Sequence, residues 1–156
     1  MFYDIYSSKF GDIILVGDEA GLAHLHIEKS DGKRKFEIDN KWIRNPLFFI
    51  AIKDELEDFF TKKKNSFDVK LNLSGTEFQK QVWNELRNIP FGETRSYQDI
   101  AIKIGKPKAS RAIGMANSKN PIPIIIPCHR VIGKSGKLTG FAHGLELKQQ
   151  LLNFEK

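Results

Sequence analysis

Cysteine is almost missing from this sequence: Cys128 is the only one in 156 residues. A single thiol excludes an internal disulfide framework and a multi-cysteine zinc site. It leaves two readings, a small buried hydrophobe or a chemical reagent. Long apolar runs are lacking too, since no segment approaches the roughly 18 uninterrupted apolar residues of a membrane span. Met1-Phe2-Tyr3-Asp4-Ile5 carries neither the basic flank nor the apolar stretch of a secretory signal. A cytoplasmic protein without a membrane partner is therefore expected. No internal repeat or low-complexity tract is visible. Acidic side chains are in the minority, 19 against 25 Lys and Arg, for a net charge of +6. That balance favours a polyanionic partner, with nucleic acid first. Part of the excess lies in Thr61-Lys62-Lys63-Lys64-Asn65, which reads as a solvated linker.

What remains is enough for one core plus a smaller companion, and the pattern is α+β. Phe2–Ser7, Asp12–Gly17 and Leu22–Glu28 are short and rich in β-branched or aromatic residues, with turn-like Lys9-Phe10-Gly11 and Asp18-Glu19-Ala20-Gly21 between them. An antiparallel β-meander is predicted there. Phe48, Ile52, Leu56 and Phe59 at helical spacing predict a helix over 47–60, and Phe67–Leu71 a further strand. From Gly75 the texture becomes helical. Thr76 with Gln79 forms a capping box ahead of Phe78, Val82, Leu86 and Ile89. Ser96 with Asp99 starts a second helix that Gly105 ends. Pro107 suits the first position of a third, running to about Ser118, and Leu145 to Phe154 forms the last. The boundary falls between Leu71 and Gly75, dividing the chain into 1–72 and 73–156.

Ser96–Ile104, the Gly105-Lys106-Pro107 turn and Lys108–Ser118 form a helix–turn–helix pattern. Its second helix is slim: Ala109, Ser110, Ala112, Gly114 and Ala116 are small, and Lys108, Arg111 and Lys119 supply the charge. A helix that reads bases in the major groove carries longer polar side chains. This one suits close approach with little sequence preference, driven by phosphate contacts. Helix–helix packing would use small residues equally well, and both readings stand at this level. His24 and His26 alternate on a predicted strand; with no further Cys or His nearby, a polar sheet face is favoured over a metal site.

Asn120-Pro121-Ile122-Pro123-Ile124-Ile125-Ile126-Pro127-Cys128-His129-Arg130 holds three prolines in seven residues, which excludes a regular helix or a central strand. An extended, stiff, buried segment should deliver Cys128 to a fixed place. Apolar surroundings make a thiol inert unless a base or cation offsets them, and His129 and Arg130 follow at once.

These blocks resemble the O6-alkylguanine-DNA alkyltransferases (methylated-DNA–protein-cysteine methyltransferases) from about Gly75 to Glu155. The motifs are Gly75-Thr76-Glu77-Phe78-Gln79, Ile89-Pro90-Phe91-Gly92-Glu93 with Ser96-Tyr97, Ser110-Arg111-Ala112-Ile113-Gly114, and Asn120-Pro121 through Pro127-Cys128-His129-Arg130-Val131. The β-rich first part matches in outline, and the resemblance implies a ribonuclease-H-like fold for it. It also implies that Cys128 accepts an alkyl group irreversibly from O6-alkylguanine (and O4-alkylthymine) in double-stranded DNA, bound from the minor groove, with no cofactor and as a monomer. His129 would be the base, acting through a bridging water. Glu155 would orient it, Asn120 would brace the preceding turn, and Tyr97 would meet the flipped guanine. Arg111 would enter the stack, with Lys108, Ser110, Ala112 and Gly114 on the DNA-facing helix. Val131, Phe141, Ala142 and His143 would line the pocket. Phe141 and His143 depart from the tyrosine and glycine usual at those places, which bears on alkyl size. Rival readings are a lesion-binding protein without transfer activity, a helix–turn–helix regulator with a structural Cys128, and a cysteine hydrolase.

Overall fold

The computed structural model describes residues 1–28, 36–139, 141 and 143–156. Two compact units divide the chain at the Ser74–Gly75 junction. Among the described residues no helix is long and apolar enough to cross a membrane.

The first unit is the expected meander. Strands β1 (Phe2–Ser8), β2 (Gly11–Asp18) and β3 (Gly21–Ile27) pair antiparallel, with Phe2 opposite Gly17 and Ile13 opposite Ile27. A two-residue strand β4 (Ile43–Arg44) adds to β1 in parallel, giving the order β3-β2-β1-β4. Ile13 through Gly17 are all buried, so β2 is covered on both faces.

Two local expectations are corrected. The helix predicted over 47–60 is a 3-10 turn at Pro46–Phe49 followed by α1 (Ile50–Phe60). Asn45 starts the turn by accepting from the Phe48 amide at 3.3 Å. The tighter turn rotates the helix face, so that Phe49 rather than Phe48 joins Leu56 and Phe59 in the core. The strand predicted at Phe67–Leu71 is reduced to one bridge between Leu71 and Leu22. The 70–72 backbone touches β3 only at its start, where a Cβ on Gly21 would come within 2.8 Å of the Lys70 carbonyl. Gly21, at φ +133, permits that approach.

The second unit contains α2 (Glu77–Leu86), β5 (Arg95–Ser96), α3 (Tyr97–Lys103), α4 (Ser110–Ser118), a 3-10 turn (Cys128–Arg130), β6 (Val131–Ile132) and α5 (Leu145–Phe154). Both capping boxes form, Thr76 with Gln79 and Ser96 with Asp99. Trp83 of α2 is buried and donates to the Ala116 carbonyl at 2.8 Å, tying α2 to α4. Gly105 takes φ +77 and closes α3, as expected. The next helix starts later than Pro107: the Ala109 amide bonds back to the Lys106 carbonyl, and Pro107 lies within that turn. Strands β5 and β6 pair in parallel, Arg95 with Val131 and Ser96 with Ile132. This short ladder sets the start of α3, and hence Tyr97, beside the chain that follows the cysteine.

Candidate active site and DNA-facing groove

The proline-rich approach is buried from Asn120 to Val131, yet it is not extended throughout. Proline restrains φ but leaves ψ free, and the segment folds back on itself. The Ile126 amide donates to the Ile122 carbonyl at 2.9 Å, and Ile124 sits at φ 75. That region is costly for a β-branched residue. Asn120 over-determines the turn: its Nδ2 donates to the Ile126 carbonyl at 2.7 Å and its Oδ1 accepts from the Ile122 amide at 2.9 Å. The turn ends by placing Cys128 at the start of a 3-10 turn rather than on a strand.

Cys128 is 4% exposed. Its carbonyl accepts from Asn117 Nδ2 of α4 at 3.3 Å, which links the cysteine turn to the second helix of the helix–turn–helix. His129 is wholly buried, and its Nε2–H donates to Glu155 Oε2 at 2.6 Å. With Nε2 committed as the donor, Nδ1 keeps the lone pair; it has no hydrogen-bond partner among the described residues. Burial pushes the His129 imidazole below its usual value, against the opposing hydrogen bond and charge of Glu155. The ring is therefore neutral at pH 7 and able to take a proton.

Glu155 is held by more than the histidine. Arg130 forks onto it through Nε (2.8 Å) and Nη2 (2.9 Å), and the Gly92 amide donates to Oε1 at 3.1 Å. The remaining guanidinium nitrogen, Nη1, donates to the Ile89 carbonyl at 2.7 Å. Burial alone would raise the Glu155 carboxyl, but the hydrogen bonds from His129 and Arg130 outweigh it and hold the group at about 2. The pair with Arg130 is bidentate and buried, the geometry in which such a contact orients most strongly.

Lys148 was not singled out by the sequence pattern. It is fully buried on α5, donating through Nζ to the carbonyls of Val131 (2.5 Å) and Thr139 (2.7 Å). Burial pushes its ammonium down to about 8, and the negative charge of a Cys128 thiolate acts the other way. Its signal was legible in principle, because Lys148 shares a helix face with Leu151 and Glu155 at i+3 and i+7. Arg130 was visible in the motif, but only the folded chain shows its fork onto Glu155. Tyr97 is half-buried and its hydroxyl donates to the same Thr139 carbonyl at 3.0 Å. Burial raises that hydroxyl, the Thr139 bond opposes this, and the Cys128 charge adds to it. Tyr97 thus stays protonated at neutral pH.

A groove of about 450 Å³ runs beside α4, lined by Tyr97, Ser110, Arg111, Gly114, Met115, Ser118 and Thr139. Arg111 is exposed, as are Lys108 and Ala112, which lie outside the groove lining. Of the expected pocket residues, Val131, Phe141 and His143 are buried, and the Phe141 and His143 rings lie 5.8 Å apart. Ala142 lies outside the described residues. In the first unit His26 is buried and His24 half-buried; the His26 ring stacks on Phe36 at 5.2 Å, and the His24 ring lies tilted against it at 5.5 Å. They form part of an aromatic cluster rather than a polar face. Among the described residues no three metal-capable side chains come together.

Two family models match. One, described as the 6-O-methylguanine DNA methyltransferase ribonuclease-like domain, covers residues 1–73, and the DNA binding domain of the same family covers 77–156. This chain belongs to the 6-O-methylguanine DNA methyltransferase family. Within that family, the methylated-DNA–protein-cysteine methyltransferase of Methanosarcina acetivorans is 54% identical over 155 residues, 99% of this chain and 98% of its own. The crystal structure of Mycobacterium tuberculosis OGT in complex with DNA matches with a TM-score of 0.90 at 44% identity, covering 100% of this chain and 93% of that one. The methyltransferase of Pyrococcus kodakaraensis shares the fold, with a TM-score of 0.73 at 22% identity.

Proposed function

We propose that this family member repairs alkylated DNA by direct reversal, moving the alkyl group of O6-alkylguanine onto Cys128. The observation that carries the reading is the buried His129–Glu155 contact of 2.6 Å immediately beside the buried thiol. An alkyl carbon on guanine O6 calls for a soft nucleophile in line, and thiolate is the best side chain for that task. A free thiol with a pKa near 8.5 is only a few per cent ionised at neutral pH. His129 accepts the thiol proton at Nδ1, through the bridging water that the family resemblance implies, while Glu155 and Arg130 hold the ring in the required tautomer. The sulfur then forms a bond to the alkyl carbon as the carbon–O6 bond breaks. The guanine leaves with the electron pair, and Tyr97, still protonated, donates to the developing charge. The product is a thioether with no route back, so each chain acts once. Lys148 favours the thiolate by its charge and holds the Thr139 carbonyl that Tyr97 shares.

The alkylated atom lies inside the duplex stack, so the nucleotide must be extruded at a cost of a few kcal/mol, less for a damaged base. The groove beside α4 suits that event. Arg111, exposed at its rim, is placed to occupy the vacated stack through its planar guanidinium. The Ala109 N-cap supplies no side-chain acceptor, leaving the first amides of α4 to meet phosphate. Gly114 also points outward. A Cβ there would touch only the Tyr97 ring, at 3.8 Å, so packing within the protein does not demand glycine. Close approach of a DNA backbone does. The unit that follows the Ser74–Gly75 junction carries the chemistry, and the +6 charge supports sequence-independent duplex binding. A reducing cytoplasm suits a lone free thiol.

The test is direct. Incubation with duplex DNA bearing O6-methylguanine should add the mass of one methyl group per chain, located on Cys128 by mass spectrometry and absent from Cys128→Ala. Tight binding with unmodified protein would point instead to a lesion sensor, and repeated turnover would rule out the single-use mechanism.

A further inference from the structure

Among the α4 side chains that line the groove, only two are long. Ser110, Gly114 and Ser118 are small; Arg111 is one of the long pair, and Met115 is the other. Met115 is 68% exposed, a large apolar side chain left in solvent within the groove lining, where its α4 companions other than Arg111 are small. The core face of α4 is filled by Ile113, Ala116 and Asn117, so folding makes no demand on Met115. It follows Arg111 by four residues, which puts both on one face about 6 Å apart along the helix axis. Base pairs rise about 3.4 Å each, so the two side chains meet a duplex within about two base steps of one another.

We infer that Met115 is a second DNA-engaging side chain: an apolar wedge that packs against the base step beside the one Arg111 fills, and holds the extruded nucleotide out. The inference rests on the proposed DNA-repair reading. Proteins that work from the minor groove bend and unstack DNA with apolar side chains of this type. Methionine suits the role because its unbranched thioether adapts to an irregular gap and packs well on aromatic faces. The division of labour is physical. Arg111 supplies charge and a planar filler, whose contribution falls with salt. Met115 supplies buried apolar area, whose contribution does not.

The experiment compares wild type, Met115→Gln and Met115→Leu on two substrates, duplex DNA carrying O6-methylguanine and the free O6-methylguanine base. The Gln variant keeps length and helix propensity but loses the apolar surface. It should react with the duplex about fivefold more slowly, the effect of burying roughly half of one apolar side chain. Met115→Leu should stay within about twofold of wild type, since such volume-conserving swaps are the mildest. All three should react equally with the free base, and the salt dependence of duplex binding should be the same for wild type and Met115→Gln. Wild-type duplex rates in Met115→Gln, or an equal loss on the free base, would overturn the wedge. If the wild type transfers methyl from neither substrate, the repair reading itself fails.

Discussion

Gly114→Ala separates what α4 needs for folding from what it needs for DNA. Gly114 is the middle residue of the nine in α4, where glycine costs about 0.5–1 kcal/mol relative to alanine. The added methyl would lie 3.8 and 3.9 Å from Tyr97 ring carbons, ordinary contact distances, so no clash offsets the gain. The variant should therefore be more stable by about 0.5–1 kcal/mol, raising the melting temperature by about 1–4 °C in a chain of this length. The same methyl projects into the groove lined by Tyr97 and Arg111. If a sugar–phosphate backbone approaches there, one extra methyl acts as overpacking, which costs about 1–3 kcal/mol. That range corresponds to a fall in the duplex reaction rate of roughly 5- to 160-fold. Thermal denaturation and single-turnover methyl transfer, with the free base as control, read both effects. A destabilised variant would show that Gly114 serves internal packing. A stabilised variant with an unchanged duplex rate would show that no backbone comes close to α4.

Glu155 and Lys148 each predict a pH dependence. The Glu155 carboxyl, at about 2 in the fold and near 4.3 when unfolded, contributes stability that is complete above the unfolded value. That stability, about 3 kcal/mol, is lost as pH falls through the folded one. Urea unfolding between pH 5 and about 2 should show this loss in wild type and much less of it in Glu155→Gln, which is also destabilised at pH 7 because Arg130 is left buried without its partner; equal acid sensitivity in both would refute the assignment. Lys148 runs the other way: at about 8 in the fold and about 10.4 unfolded, it imposes a burial cost that is full below pH 8 and relieved toward the unfolded value. Wild-type stability should accordingly rise over that alkaline window relative to Lys148→Met, and parallel profiles would show that the ammonium does not titrate there. At neutral pH Lys148→Met should also slow methyl transfer, because the Cys128 thiolate loses the favourable charge of a buried ammonium.

Much of this architecture is local, and local features survive reading from sequence. The two capping boxes, Gly105 at φ +77 and the three-strand meander depend on neighbours within a few residues, so their signals lie side by side in the chain. Cys128, His129 and Arg130 could be picked out for the same reason. The tertiary structure decided what joins distant positions. The helix predicted over 47–60 lost its first turn to a 3-10 geometry capped by Asn45, and the strand at Phe67–Leu71 shrank to one bridge beside Gly21, whose missing Cβ leaves room for that backbone. Three prolines correctly excluded helix but not the fold-back that puts Ile124 at φ 75, since proline leaves ψ undetermined. Above all, the tertiary fold brought Glu155 and Lys148 of the last helix to the cysteine turn. A carboxylate next to the C-terminus and a lysine on an amphipathic helix read as solvated groups. They become a hydrogen-bond partner of His129 and Arg130 and a buried cation because α5 packs its Leu147 and Leu151 face inward and carries both side chains with it.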